Sequence, residues 1–479
     1  MLPNNNAARI RKEILIKLSK AFLEDDLEHN LDRIPLEMRP KDSANLRCCI
    51  YKDRAIIKYA CMASMGFAIE DEKDELKPLS EYAKEALLRS QNAKEILTVI
   101  DAACQGCIKA QYMVTNACQG CLARPCTLNC PKEAITIKKG KAEINPDLCV
   151  NCGRCFEACP YHSIIRIPVP CEEACPVGAI TKDENGKEHI DQEKCISCGK
   201  CLLACPFGAI MERSHIVDVL RKIKNKKNIV AMIAPAIVGQ FPGTLEQLAG
   251  ALLKAGFSDV IEVATGADIT TENEAKEFLH KMSEGQSFMT TSCCPAYVEA
   301  VKKHIPELSK YVSTTLSPMR YTAEIVKKEK PDCVAVFIGP CVAKRTEAYS
   351  DENVDHVLTF EELGAIFVAS NIDVTACEPV TISKYASGNA RNFPISGGVA
   401  AAVQAIAGEN ANIIPEKIDG LDKEAIKLLK RFACKGCSGN LVEVMACNGG
   451  CIAGPSALAN PKFATRAVTK LVGETKEKI

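Results

Sequence analysis

Cys149-Val150-Asn151-Cys152-Gly153-Arg154-Cys155-Phe156-Glu157-Ala158-Cys159-Pro160 is a Cys-x2-Cys-x2-Cys-x3-Cys-Pro run, and Cys195-Ile196-Ser197-Cys198-Gly199-Lys200-Cys201-Leu202-Leu203-Ala204-Cys205-Pro206 repeats it. In such a run three thiolates wrap one [4Fe–4S] cubane and the fourth reaches a neighbouring cluster. Thiolate-rich sites as a class choose between zinc and iron–sulfur. Four thiolates this close together, each run closed by proline, do not have zinc-ribbon spacing. Cys118-x2-Cys121-x4-Cys126-x3-Cys130-Pro131 is a variant of the same run.

Around these runs, residues 101–212 hold sixteen of the 28 cysteines. Each cysteine cluster is followed by a short strand-like tail, at Glu133–Ile137, His162–Ile165, Gly178–Ile180 and Gly208–Ile210. Repetition on this scale predicts duplicated bacterial ferredoxin halves. Exchange of fourth ligands between adjacent halves assigns Cys118, Cys121, Cys126 and Cys159 to one cubane and Cys149, Cys152, Cys155 and Cys130 to a second. Cys195, Cys198, Cys201 and Cys175 form a third. Cys171 and Cys205 then face a site that lacks its Cys-x2-Cys pair. Cys104-x2-Cys107, just upstream, either supplies that pair for a fourth cubane or is structural. Three to four accessory [4Fe–4S] clusters in one region serve to conduct single electrons to a deeper site.

The whole chain has 479 residues, enough for two to four domains. Lysine plus arginine (60) balances aspartate plus glutamate (60), so no nucleic-acid partner is implied. The basic run Arg221-Lys222-Ile223-Lys224-Asn225-Lys226-Lys227 reads as a solvated helix end or linker. The N-terminus is polar without an apolar core of the signal-peptide kind, and no apolar run is long enough to span a bilayer. A soluble, cytoplasmic protein without a membrane partner is expected, and in that compartment metal ligation explains the cysteines better than disulfides do. Residues 1–100 carry helical patterning at Arg9–Leu18 and Leu79–Leu88, with no legible role. Cys48, Cys49 and Cys61 lack ligand-like spacing there and read as small buried hydrophobes.

From Asn228 onward the texture changes. Ile229–Ile233, Val260–Val263 and Cys333–Ile338 read as buried strands, alternating with helices at Leu245–Leu253 and Thr271–Met282. Such alternation predicts parallel sheet covered by helices. The expected fold class is multidomain α/β and α+β: a helical segment over 1–100, a ferredoxin-like unit over 101–212 and an α/β unit over 213–479.

Three further cysteine segments lie in that last unit: Thr291-Ser292-Cys293-Cys294-Pro295, Gly339-Pro340-Cys341-Val342-Ala343-Lys344 and Glu443-Val444-Met445-Ala446-Cys447-Asn448-Gly449-Gly450-Cys451. In order and wording they resemble the catalytic domain of the [FeFe]-hydrogenases, over roughly residues 229–460. The resemblance implies a two-lobed α/β catalytic domain with parallel sheets and reversible reduction of protons to H2 at an H-cluster. Cys294, Cys341, Cys447 and Cys451 would hold its [4Fe–4S] part. Cys451 would bridge to a diiron subsite carrying CO, cyanide and a dithiolate. Lys344 matches the lysine that hydrogen-bonds a cyanide, and Pro235, Met445 and Gly398 would also contact the cofactor. Cys293 matches the thiol that passes protons to the diiron unit. Glu274, Glu277 and Lys281 share one helix face at i, i+3 and i+7. On spacing alone that is a solvated face, but with Ser313 they match the family's proton relay, lysine replacing arginine. The implied partners are a small electron carrier such as ferredoxin and the proteins that mature the diiron cofactor, in an anaerobic setting.

Several positions depart from the family. Gly339 stands for a methionine, Ala236 for a serine, Met319 for a glutamine and Ala401 for a glutamate, and the third segment ends Ile452-Ala453-Gly454-Pro455. These changes resemble a divergent branch often called group B. Cys434-x2-Cys437 has no assignment. Two other readings stand beside the enzyme: an H2-sensing protein, and a non-catalytic relative of the eukaryotic iron–sulfur assembly proteins. The latter typically lack counterparts of Cys293 and Lys344.

Overall fold

The computed structural model describes residues 5–24, 27–89, 95–108, 111–382, 386–408 and 411–476. Two parallel sheets frame the C-terminal half. Ile229–Ile233 is central in a four-stranded sheet with Asp259–Glu262 on one side and Val334–Gly339, then His356–Thr359, on the other. Every residue of Ile229–Ile233 is buried, which suits a strand covered by helices on both faces. The second sheet runs Met289–Thr290, Leu441–Met445, Pro415–Asp419, again parallel. Helix Ala264–Ser283 begins seven residues before the sequence expectation. Apolar periodicity does not mark that first stretch, where small Ala264, Gly266 and Ala267 pack closely.

The cysteine-rich region folds as short antiparallel pairs. Ile135–Lys138 pairs with Lys141–Ile144, Ile180–Lys182 with Glu188–Ile190, and Gln111–Val114 with Ile164–Ile167. All four strand-like tails therefore form strands, Ile210–Glu212 pairing back to Leu97–Val99.

The N-terminal segment forms helices Asn6–Leu23, Ile50–Ser64 and Leu79–Leu88. Asn5 caps the first by accepting from the Ala8 N–H at 2.9 Å. Ile14 and Leu18 on its inner face are wholly buried, each contributing about 1.5–3 kcal/mol. They enter one hydrophobic core shared with the second ferredoxin half and the four-stranded sheet, so the segment is packed into the rest of the molecule. Arg11 forks onto Glu361 at 2.7 and 2.9 Å. Fully buried Arg345 joins Glu212, at the end of the ferredoxin-like region, to Glu362 in the C-terminal half. Removing one partner of such a buried set strands a charge, at a cost of about 3–5 kcal/mol.

Of the three N-terminal cysteines only Cys61 is buried. Cys49 is half-buried and Cys48 exposed, because they precede helix Ile50–Ser64 instead of lying on its inner face. Arg221–Lys224 closes helix Ile216–Lys224, as a helix end.

Candidate metal centre and proton chain

The three C-terminal cysteine segments meet where strands end. Cys341 follows strand Val334–Gly339, Cys294 follows Met289–Thr290 and opens helix Pro295–His304, and Cys447 follows Leu441–Met445. The carboxyl ends of parallel strands are where open α/β sheets form their binding crevices. Between Cys447 and Cys451 the chain turns sharply through Gly450 (φ +92°), whose missing Cβ would sit 2.3 Å from the Pro394 carbonyl oxygen. No residue with a side chain fits that approach.

Cys294, Cys341, Cys447 and Cys451 line one cavity with Cys293, Lys344, Pro235 and Met445. Its empty space is about 870 Å³, counting its opening to solvent. Gly398 does not line it. Instead a Cβ there would meet the Asn392 carbonyl oxygen at 2.1 Å, so its glycine serves backbone packing. Among the described residues no three His, Cys, Asp or Glu side chains are spaced to hold a single metal ion. Four thiols around one cavity of this size fit a [4Fe–4S] cubane, which takes one thiolate on each iron. Lys344 is buried, and its Nζ donates to Glu347 at 2.6 Å, Ser317 Oγ at 3.1 Å and the Cys293 carbonyl at 3.5 Å. Burial alone would lower its pKa, but Glu347 and the nearby thiols raise it, so it stays charged. A buried cation at the cavity wall fits an anionic guest.

The departure at Gly339 goes with its neighbours on the cavity wall. A Cβ at Gly339 would lie 2.5 Å from the Phe337 ring, which fills that part of the wall beside Ala234. Met319 packs in one buried cluster with Phe337 and Ala234, and Ala236 also lines the cavity. Phe337 lies two residues before Gly339 on one strand, hence on the same face.

Glu274 lies wholly buried beneath Cys293. Its Oε1 accepts from the Ser292 N–H at 3.1 Å, while Oε2 has no hydrogen-bond partner. Burial pushes its pKa up to about 7, the Glu277 charge adding to this against the Ser292 N–H. The Cys293 thiol is pushed well above its ordinary range, first by burial and then by Glu274. One turn along, Glu277 is crowded with donors: Ser313 Oγ at 2.7 Å, the Thr314 N–H at 2.9 Å, Thr315 Oγ1 at 3.1 Å and Lys281 Nζ at 2.8 Å. Burial opposes ionisation there, but these partners hold the pKa down at about 2. Ser313, which donates to Glu277, also lies near enough to Glu274 to favour its ionisation, and so stands between the two acids. The structure thus brings Cys293, Glu274, Ser313, Glu277 and Lys281 into one chain. Sequence reading missed Thr314, Thr315, Ser292, Ser317 and Glu347. The i+3 spacing of Lys344 and Glu347 was the one available signal.

The ferredoxin-like region meets this centre through its last loop. Cys198 lines the same cavity, and a Cβ on Gly199 would touch Val342 and Pro455 at 2.8 and 2.9 Å. Cys195, Cys198 and Cys201 each sense the charge of Cys175. Cys130, Cys149, Cys152 and Cys155 line a second cavity, and Cys126 senses Cys121 and Cys159. Cys104, Cys107, Cys171 and Cys205 line a third. Cys434 is exposed, and Cys437 donates to the Gly439 carbonyl at 2.8 Å, apart from all of these.

Residues 227–455 match the family described as iron only hydrogenase large subunit, C-terminal domain. Residues 165–216 match the LdpA Fe-S cluster-binding domain, and residues 141–164 a 4Fe-4S binding domain. The NADP-reducing hydrogenase subunit HndD of Solidesulfovibrio fructosivorans is 29% identical over 52% of this chain and 53% of its own length. The periplasmic [Fe] hydrogenase large subunit of Nitratidesulfovibrio vulgaris is 27% identical over 56% of this chain and 78% of its own. The mouse cytosolic iron-sulfur assembly component 3 is 25% identical over 46% of this chain and 58% of its own. The match thus spans about half the length of the first of these relatives. No helix among the described residues is long and apolar enough to cross a membrane. With iron–sulfur domains leading into an iron-only hydrogenase domain, the chain is a divergent [FeFe]-hydrogenase-like protein.

Proposed function

We propose that this protein interconverts protons and H2 at an H-cluster, with electrons arriving through the ferredoxin-like region from a small carrier such as a ferredoxin. The observation that carries the reading is the single cavity that gathers four sulfur donors, Cys294, Cys341, Cys447 and Cys451, with Cys293 and Lys344 on its wall. The four cysteines would hold the cubane, Cys451 also reaching the diiron group, and Lys344 would anchor a cyanide with Pro235 and Met445 beside it. When bound, the diiron group with its CO and cyanide ligands supplies the place where two electrons and two protons become H2.

The chain's own residues supply the protons. Cys293 stands at the cavity and is protonated at rest, so it has a proton to hand on and readily takes another afterwards. Glu274, poised near neutrality, can both take and give a proton there, as a relay acid must. Ser313 links it to Glu277, which Lys281 keeps ionised toward the outside. Cys118, Cys121, Cys126 and Cys159, Cys149, Cys152, Cys155 and Cys130, and Cys195, Cys198, Cys201 and Cys175 would hold three accessory cubanes. The third stands closest to the catalytic cavity, through Cys198.

The likeness to the mouse assembly component favours a second reading, a cubane-binding protein without the diiron group. One experiment separates them. Protein matured with the diiron cofactor by the maturation proteins should show CO and cyanide stretching bands in the infrared and evolve H2 from a reduced carrier. Absence of those bands after competent maturation overturns the enzyme reading.

A further inference from the structure

Cys104-Gln105-Gly106-Cys107 and Cys118-Gln119-Gly120-Cys121 are the same four residues. They also take the same shape. Gly106 has φ +58° and Gly120 φ +60°. A Cβ on Gly106 would lie 2.8 Å from the Gly186 carbonyl oxygen, and one on Gly120 would lie 2.2 Å from that of Gly140. Gly140 turns the hairpin Ile135–Lys138 with Lys141–Ile144, and Gly186 lies in the connection between paired Ile180–Lys182 and Glu188–Ile190. Each Cys-Gln-Gly-Cys loop is therefore seated on the hairpin turn of its own ferredoxin half. The loop at 104–107 belongs to the second unit, although the whole first unit separates them in sequence.

The spacing then becomes intelligible. The first unit reads Cys118-x2-Cys121, a short loop, and Cys126-x3-Cys130-Pro131. The second reads Cys104-x2-Cys107, residues 108–170, and Cys171-x3-Cys175-Pro176. The inserted stretch is closed at its neck by strand pairing, Gln111 opposite Ile167. Cys107 lies four residues before Gln111 and Cys171 four residues after Ile167, so both ends of the insertion are anchored at one place. Cys104, Cys107, Cys171 and Cys205 line one cavity there. Its empty space is about 330 Å³, as is that of the cavity formed by Cys130, Cys149, Cys152 and Cys155. Cys104, Cys171 and Cys205 are buried. The Glu188 N–H points to Cys104 Sγ at 3.5 Å, as the Ala134 and Ala179 N–H groups point to Cys130 and Cys175. Main-chain N–H donors to cluster sulfur are among the features that tune such clusters.

We propose that the second ferredoxin unit is interrupted by the first, inserted between its second and third ligands, and that Cys104, Cys107, Cys171 and Cys205 hold a fourth accessory [4Fe–4S] cluster at the neck. Helix Lys200–Ala204 joins this site to the third cubane, with Cys201 at one end and Cys205 just beyond the other. The neck cluster thus connects the two outer cubanes to the one that faces the catalytic cavity. This placement deepens the hydrogenase reading and rests on it for the direction of electron flow.

The test uses the full chain, reconstituted with iron and sulfide without the diiron group, and counts cubanes by Mössbauer spectroscopy with iron and sulfide analysis. The expected count is five: four accessory clusters and the catalytic one. The C104S/C107S double variant should hold four, with the signals of the outer pair unchanged. In diiron-matured protein it should deliver electrons from a reduced ferredoxin to H2 at least ten-fold more slowly. Four cubanes in the unaltered protein, or an unchanged count in the double variant, overturns the fourth site. Loss of one cubane with unchanged delivery overturns its place in the line. If the double variant does not fold, the count in the unaltered protein decides. Failure of the hydrogenase reading is seen separately, as missing CO and cyanide bands beside a count of five.

Discussion

Glu274 and Glu277 lie three residues apart on one helix face, yet their surroundings drive them in opposite directions. The inner acid is wholly buried, keeps one oxygen unpartnered and titrates at about 7. The outer one, half-buried, is ringed by Lys281, Ser313, Thr314 and Thr315 and titrates at about 2. Identical side chains one helical turn apart are thus divided between a group that exchanges protons at neutrality and a fixed anion. Glu274 is suited to be the relay atom, and Glu277 to hold Ser313 and Lys281 in line. Two adjacent environments that split pKa values in this way assign separate roles to otherwise equal carboxyls.

The largest effect should come from the inner member. Glu274→Ala removes the acid that faces Cys293 and should lower H2 evolution by about 10²–10⁴-fold, the usual worth of positioned proton transfer. Infrared bands of the matured cofactor should be unchanged, and shifted bands would mean a structural role instead. The milder Glu274→Gln tests its protonation. Because folding raises this pKa above 4.5, the native state binds more protons between pH 4.5 and 7, so stability falls as pH rises through that range and the loss is complete above it. Glu274→Gln should therefore be more stable than the parent above pH 7, by at most about 3 kcal/mol. The two thermal midpoints should converge as pH falls toward 4.5. Midpoints that stay parallel across this range would show that Glu274 does not titrate near neutrality.

Next in size is the outer member. Glu277→Ala should slow turnover by about 10²-fold with every cluster retained. Unchanged turnover removes Glu277 from the path and leaves the inner acid with another exit. The contrast between the two acids predicts different pH behaviour as well. The rate of the parent should follow a group near 7, whereas Glu277→Gln should lower the rate and move that midpoint downward, because the Glu277 charge is one of the causes that raise the Glu274 pKa.

How much of this was legible beforehand differs between the cubane ligands and the acids. Covalent ligands are fixed by residue type and spacing, so Cys149-x2-Cys152-x2-Cys155 and its copy announced iron–sulfur sites without a structure. The βα alternation after Asn228 likewise announced parallel sheet, because buried strands must be continuously apolar. Glu274, Glu277 and Lys281 were visible as a helix face, but spacing could not say which was buried. That depends on Ser292, Ser313 and Thr315, brought in by the loops beside edge strand Met289–Thr290. The start of helix Ala264–Ser283 was hidden because its small residues carry no apolar period. The role of Cys104 and Cys107 was left open by spacing for a topological reason: a unit interrupted by another loses the local spacing by which cysteine runs are recognised. The repeated Cys-Gln-Gly-Cys words were the surviving trace.

The smallest expected effect lies at the mouth of the chain. Lys281→Met removes the cation 2.8 Å from Glu277 and leaves Ser313 and Thr314 as its donors. Turnover should fall only a few-fold, since the relay acid and its serine are untouched. The clearer signal is in acid. A carboxyl held below its unfolded pKa lends stability above that value and loses it as pH falls through the folded one. For Glu277 that window runs from 4.5 down to about 2. Without Lys281 its pKa should rise toward the ordinary range, so the variant should lose less stability than the parent between pH 4.5 and 2, having begun lower. Lys281→Arg should keep both the rate and the parental slope, because a cation is what the position requires. If Lys281→Met keeps the parental acid slope, the serine and threonine donors alone hold Glu277 ionised, and the lysine serves only its bond to the Val312 carbonyl.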